Sequence, residues 1–413
     1  MKKLKFHDFI FHIISIMCFF LILSNNILLG QKLDKTKLDL NYYEKFKGQN
    51  RILNICNWGE YIADGSDDSM NIVKEFEDLT GIKVNYTTFN SNEELYIKLK
   101  LGNTDYDLIF PTDYMVIRMI KEGLVQKMNI DLLPARTNID PFFLSLAYDK
   151  NGEYTIPYTW GMSGIIYNTK EVDVKPEDVS WSLLFDEKYK DKILMAYGLR
   201  DSFAAAKGYL GYNINTTNET EIRNAYEALK KQKPIVQGYV MDEIFDKMES
   251  ESAYLGITYG GDALRTIANN TNLNFAIPKE GGNAFVECIA IPANAKNVEE
   301  AHMFLNFLCE PQVALANANY IEYASPNMTA VNMMPDEVKN DRRIYPDKKA
   351  MENMIHYVAN PDGKDSLLME SLWKEMLTTE TAKSNNGIII ISVIAVILIA
   401  VIVIKKTRKK LIN

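Results

Sequence analysis

Two short stretches place reactive or recognisable side chains just past an apolar run. RILNICNWGEY (51–61) ends a strand-like segment in Trp58, Gly59, Glu60 and Tyr61. YDLIFPTDY (106–114) ends another in Thr112 and Tyr114. A core strand has little use for tryptophan beside glutamate at its tip, so such an ending offers an aromatic face and a negative charge to something arriving from solvent. The remaining chemistry-bearing types exclude much. Of four histidines, two fall in the first twelve residues, and His302 and His356 fit no metal or triad spacing. Cys56, Cys288 and Cys309 have neither disulfide-framework nor metal spacing and read as buried thiols. The sequence therefore indicates no catalytic residue, no metal and no cofactor.

The elements that must carry these groups alternate. ILNICNW reads as a strand. SMNIVKEFEDLTG sets Met70, Ile72, Val73, Phe76 and Leu79 at helical spacing with Gly81 as a stop. IKVNYTTF is a second strand, Ser91 and Asn92 are caps for a second helix, and YDLIFP is a third strand leading into a helix near Tyr114. Short strands separated by helices indicate an α/β fold with a mainly parallel sheet, whose ligands bind outside the carboxyl ends of the strands. A second α/β set follows YTIPYTWGMSGIIYN. NFAIPKEGGNAFVECIAIP is a second extended run able to cross back. The expected division is 50–156 with 286–327 as one lobe, and 157–285 with 328–378 as the other.

Both ends of the chain are apolar and flanked by basic residues. Residues 1–31 carry lysines before a run at 9–23, the pattern of a signal peptide or an N-terminal anchor. Residues 388–404 are uncharged and almost wholly aliphatic, long enough for a short transmembrane helix after a polar linker at 379–387. The basic cluster in 405–413 assigns that tail to the cytoplasm. The middle would then lie outside the membrane, periplasmic or at the cell surface. The chain carries a net charge of −8, and its ends are basic, so the middle is more acidic still. That balance disfavours nucleic acid and favours cationic partners.

NWGEY…FEDLTGIKVNYTTFNSNEELYIKLK, followed in order by YDLIFPTDY, IPYTWG, FAIPKEGG, AIPANAKN, FLNFLCEPQVA and YASPN, resembles the polyamine-binding subunits of bacterial ABC importers. The resemblance implies a type II periplasmic-binding-protein fold with two hinged lobes around a ligand cleft. It implies a spermidine or putrescine ligand, ABC permease subunits as partners, a monomer and no enzyme activity. Carried over residue by residue, Trp58, Glu60 and Tyr61 flank the polyamine, Thr112 stands where serine is common, and Tyr114 falls on an aromatic. Arg200 and Asp201, in GLRDSF, match a basic–acidic pair near one terminal amine. Tyr259 and Phe285 replace tryptophans, Glu287 replaces an aspartate that meets an ammonium, and Tyr323 matches directly. Gly198 departs from an acidic position, leaving one amine end with a single carboxylate.

These types suit the ligand physically. Buried ammonium groups require carboxylates and acceptors, and aromatic faces serve both methylenes and cations. Asp201 also suits a helix cap, and Glu287 lies in an alternating strand that could aim it at solvent. Asp107, Trp160 and Trp181 read as structural. A cleft hydrolase using two carboxylates, a tethered sensor or adhesin, and a receptor for another organic cation are the competing readings.

Overall fold

The computed structural model describes residues 32–346, 355–356 and 364–378. The expected terminal segments at 1–31 and 379–413, including the 388–404 span, lie outside the described residues. Among the described residues no helix is long and apolar enough to cross a membrane.

The strands used below are β1 (Ile52–Trp58), β2 (Lys83–Phe89), β3 (Leu108–Ile109), β4 (Val125–Gln126), β5 (Thr155–Asn168), β6 (Ile193–Ala196), β7 (Val236–Val240), β8 (Leu255–Tyr259), β9 (Leu273–Ala276) and β10 (Asn283–Pro292). The helices used below are α1 (Ile72–Thr80), α2 (Asn92–Lys100), α3 (Asp113–Lys121), α4 (Leu199–Tyr209), α5 (Glu219–Gln232), α6 (Gly260–Asn269), α7 (Val298–Leu308) and α8 (Lys364–Thr378). Strands follow the order β2-β1-β3-β10-β5-β8-β6-β7, with β4 on β10 and β9 on β5.

Local signals set the elements. In α1, Asn71 accepts the Lys74 amide at the start and Gly81 adopts a left-handed φ of 73° at the end. Its apolar face, Ile72, Phe76 and Leu79, is buried. Ser91 caps α2 through the Glu94 amide. The parallel β1–β2 and β1–β3 pairs bring the carboxyl ends of β1 and β3 to one rim.

β5 and β10 link the two halves of the sheet. The first part of β5 pairs antiparallel with β10, while Ser163–Tyr167 pairs with β8. Apolar side chains separate accordingly. One core gathers residues from Leu33 to Met162 and from Ala284 to Ala324. Another gathers Ile165 to Ala276 together with Met369, Leu372, Trp373 and Met376 of α8. A register shift between Glu287 and Cys288 breaks the β10–β5 ladder. There the backbone of β10 turns to Pro111 and Thr112, with Cys288 N–H donating to the Pro111 carbonyl at 2.9 Å. This bulge aims Glu287 inward, against its reading as a solvent-facing strand residue.

Candidate functional site: an aromatic cleft with buried carboxylates

One end of the site forms where β1, α3 and the β10 bulge meet. Trp58 donates its indole N–H to Glu287 Oε2 at 3.0 Å. The Thr112 hydroxyl lies 3.0 and 3.1 Å from the two Glu287 oxygens and accepts from Asn92 Nδ2 at 2.8 Å. Asn92 Oδ1 in turn accepts the Thr112 amide, so the cap of α3 is fixed by α2. Glu287 is 7% exposed and makes no ion pair among the described residues. Burial pushes its carboxyl up to about 8, with the Thr112 hydrogen bond opposing the shift.

The middle is aromatic. The Tyr61 ring lies 5.7 Å from Tyr323, and Tyr323 lies 6.0 Å from Phe285. Phe285 meets Tyr259 edge-on at 5.2 Å. Gly161 makes the stack possible: a β-carbon there would sit 2.8 Å from the Phe285 ring. The three phenols are held well above their ordinary range, first by burial and then by neighbouring carboxylates.

On the α4 side Tyr259 donates to Asp201 Oδ2 at 2.8 Å, and Asn283 Nδ2 donates to Asp201 Oδ1 at 3.2 Å. Asp201 sits in the first turn of α4 but caps no amide; Gly198 holds the cap position. The Arg200 guanidinium lies over Tyr114, 3.2 Å from the ring centroid. Tyr114 donates to Glu93 Oε1 at 3.1 Å.

The structure thus brings Trp58, Tyr61, Thr112, Tyr114, Arg200, Asp201, Tyr259, Phe285, Glu287 and Tyr323 together through side-chain contacts. Glu60 stands apart, exposed in a left-handed turn with φ 55° and without a side-chain partner among the described residues. Asp107 is structural, taking the amides of Asn54, Lys296 and Asn297. Trp160 is buried, and Trp181 donates to the Gly281 carbonyl.

Sequence reading missed Asp262. Its Oδ2 accepts the Tyr323 hydroxyl at 2.9 Å, and burial raises its carboxyl. Gly261 lets the start of α6 press on the 322–323 turn, where a β-carbon would strike the Glu322 carbonyl. The available signal was an acid three residues after Tyr259, one helical turn on. Glu93 and Asn92 were also missed as partners of Tyr114 and Thr112.

Comparison with known proteins fixes the family. The model of the bacterial extracellular solute-binding proteins matches residues 71–345. The chain belongs to that family. It is 38% identical over 305 residues to the spermidine/putrescine-binding periplasmic protein of Escherichia coli (strain K12), covering 74% of this chain and 86% of the relative. It is 32% identical over 318 residues to the putrescine-binding periplasmic protein PotF of the same organism, covering 72% and 84%. Among solved structures, the spermidine/putrescine ABC transporter substrate-binding protein PotD from Streptococcus pneumoniae superposes with a TM-score of 0.72 at 33% identity. That match covers 79% of this chain and 98% of the other. The fold is therefore the mixed α/β fold of the periplasmic binding proteins.

Proposed function

We propose that this solute-binding protein takes up a polyamine, spermidine or putrescine, between its two lobes and delivers it to the permease of an ABC importer. One observation carries the reading. The buried Glu287 and the half-buried Asp262 are carboxylates without an ion-pair partner among the described residues, set along the aromatic row Tyr61–Tyr323–Phe285. Empty, this arrangement is unfavourable, because a buried carboxylate with uncharged donors alone gives up its proton reluctantly. An ammonium group offsets the desolvation of each carboxylate, and the rings cover the methylenes between. The polyamine relatives support the same ligand class.

Ligand capture needs no bond-making step, so the protein acts as a receptor and not as an enzyme. The two edges of the cleft meet through Tyr259–Phe285 and Arg200–Tyr114. A ligand bound to both lobes stabilises that closed form by its differential contacts. The hydrophobic segment 388–404 would hold this monomeric receptor at the cell membrane, with its C-terminus cytoplasmic and its binding lobes outside. Tethering would raise its effective concentration at the permease. Membrane fractionation before and after deleting 384–413 tests the tether, which fails if the shortened protein stays in the membrane after the N-terminal segment has also been removed. Direct titration with polyamines tests the ligand; absence of binding by folded, ligand-free protein contradicts the reading.

A further inference from the structure

β10 puts three chemically different side chains on one face. Side chains alternate along a strand, so Asn283, Phe285 and Glu287, all ahead of the register shift that follows Glu287, point the same way. Phe285 meets the Tyr259 and Tyr323 rings and Glu287 takes the Trp58 indole, which makes this the site-facing side of the strand. Asn283 reaches Asp201 on the same side, donating through Nδ2 to Oδ1 at 3.2 Å. A carboxylate only accepts, so this contact fixes which way the amide points, with Nδ2 towards Asp201.

That orientation leaves the other amide atom without a partner. Asn283 is 7% exposed, and its Oδ1 is buried with no hydrogen bond among the described residues. Of the buried side-chain atoms in that state, it alone belongs to a group that holds a carboxylate of the site. An acceptor buried in this way is costly to leave unpaired. Asp201 meanwhile accepts from Tyr259 and from Asn283, and the adjoining Arg200 offsets part of its charge. Position 198 adds nothing: a β-carbon there would stand 3.4 Å from Asp201 Oδ2, but the residue is glycine. With one lone pair of each oxygen taken, Asp201 leaves at most about two for a ligand, whereas a primary ammonium brings three N–H donors.

We propose that Asn283 is a direct ligand contact, its side-chain carbonyl accepting an N–H of the ammonium group seated at Asp201. This inference rests on the polyamine reading of the same site. The amide then has a separate role for each of its two polar atoms. Nδ2 holds Asp201 in place, and Oδ1 supplies an acceptor where Gly198 supplies none. Because the amide is neutral, it does so without setting a second negative charge against Asp201.

The test is calorimetric titration of the full chain with putrescine and spermidine, in the wild type and in Asn283→Leu, Asn283→Ala and Asn283→Asp. Leucine keeps a similar volume and removes both amide atoms, and alanine gives a second neutral variant should leucine pack poorly. Aspartate keeps an acceptor oxygen at 283 and removes only the donor. It is titrated at pH 8, because two facing carboxylates hold on to a proton when the site is empty. The neutral variants are expected to bind the polyamines about tenfold more weakly or worse, the scale of a hydrogen bond to a charged group. Asn283→Asp should stay within about threefold of wild type or bind more tightly. Affinity within about twofold of wild type in a folded neutral variant overturns the inference and leaves Oδ1 to a bound water. A loss in Asn283→Asp as large as in the neutral variants also overturns it, reducing Asn283 to a residue that positions Asp201. No binding of any polyamine by the wild type would overturn the proposed function, and this contact with it.

Discussion

The Trp58 indole and the Glu287 carboxylate, 229 positions apart in sequence, meet at 3.0 Å where the tip of β1 faces the bulge in β10. Neither element suffices alone. β1 ends at the rim, and the β10 register shift turns Glu287 towards it. The pair supplies an aromatic wall and a charge at one point, the combination a methylene-linked ammonium needs.

Glu287→Gln keeps the shape and removes the charge. Polyamine affinity is expected to fall about 10² -fold or more, the scale on which a buried charged hydrogen bond counts. Calorimetry checks this, and affinity within about twofold of wild type removes Glu287 from the site.

The raised carboxyl of Glu287 gives binding a pH signature. With its carboxyl near 8, the empty protein holds the proton at pH 7, and a bound ammonium drives it off. Affinity should rise with pH between about 6 and 8, by up to tenfold per unit, because fewer protons then have to be displaced. Binding enthalpies measured at pH 7 in buffers of different ionisation enthalpy should report a proton released, and Glu287→Gln should abolish that release.

The same shift predicts a cost to the empty fold. A carboxyl raised above its unfolded value destabilises the folded protein as pH rises from about 4.5 towards 8, and not below that window. Without ligand, Glu287→Gln should therefore unfold at higher denaturant than wild type at pH 8, by about 2–4 kcal/mol. The difference should vanish near pH 4. Equal stability at both pH values would contradict the burial of an unpaired charge.

Trp58→Ala is expected to weaken spermidine and putrescine alike, by about tenfold, through loss of aromatic contact and of a donor to Glu287. Parallel titrations decide it, and loss of one ligand alone would contradict a shared wall.

Much of this was readable from the chain because it is local. The caps of α1 and α2 and the rim residues Trp58, Thr112 and Tyr114 follow from periodicity and from what lies after a strand. The crossings at β5 and β10 were visible as long extended runs. Asp201 and Glu287 were ambiguous by periodicity, since a first-turn acid suits a cap and an alternating strand suits solvent. Tyr259 and the β10 bulge decide their orientation, and both are long-range contacts. Asp262 escaped because its role depends on Gly261 meeting the 322–323 turn, a packing relationship with no local mark. The segment 32–46, whose Tyr43 donates to Glu310 at 2.8 Å, was likewise silent.

The most direct test of the central claim is calorimetric titration of purified, ligand-free protein with putrescine and spermidine at physiological salt, with arginine, glycine betaine and a neutral sugar as controls. The account predicts saturable one-to-one binding of the polyamines and none of the controls. Folded protein that gives no heat with either polyamine, or that binds a control as tightly, would contradict it.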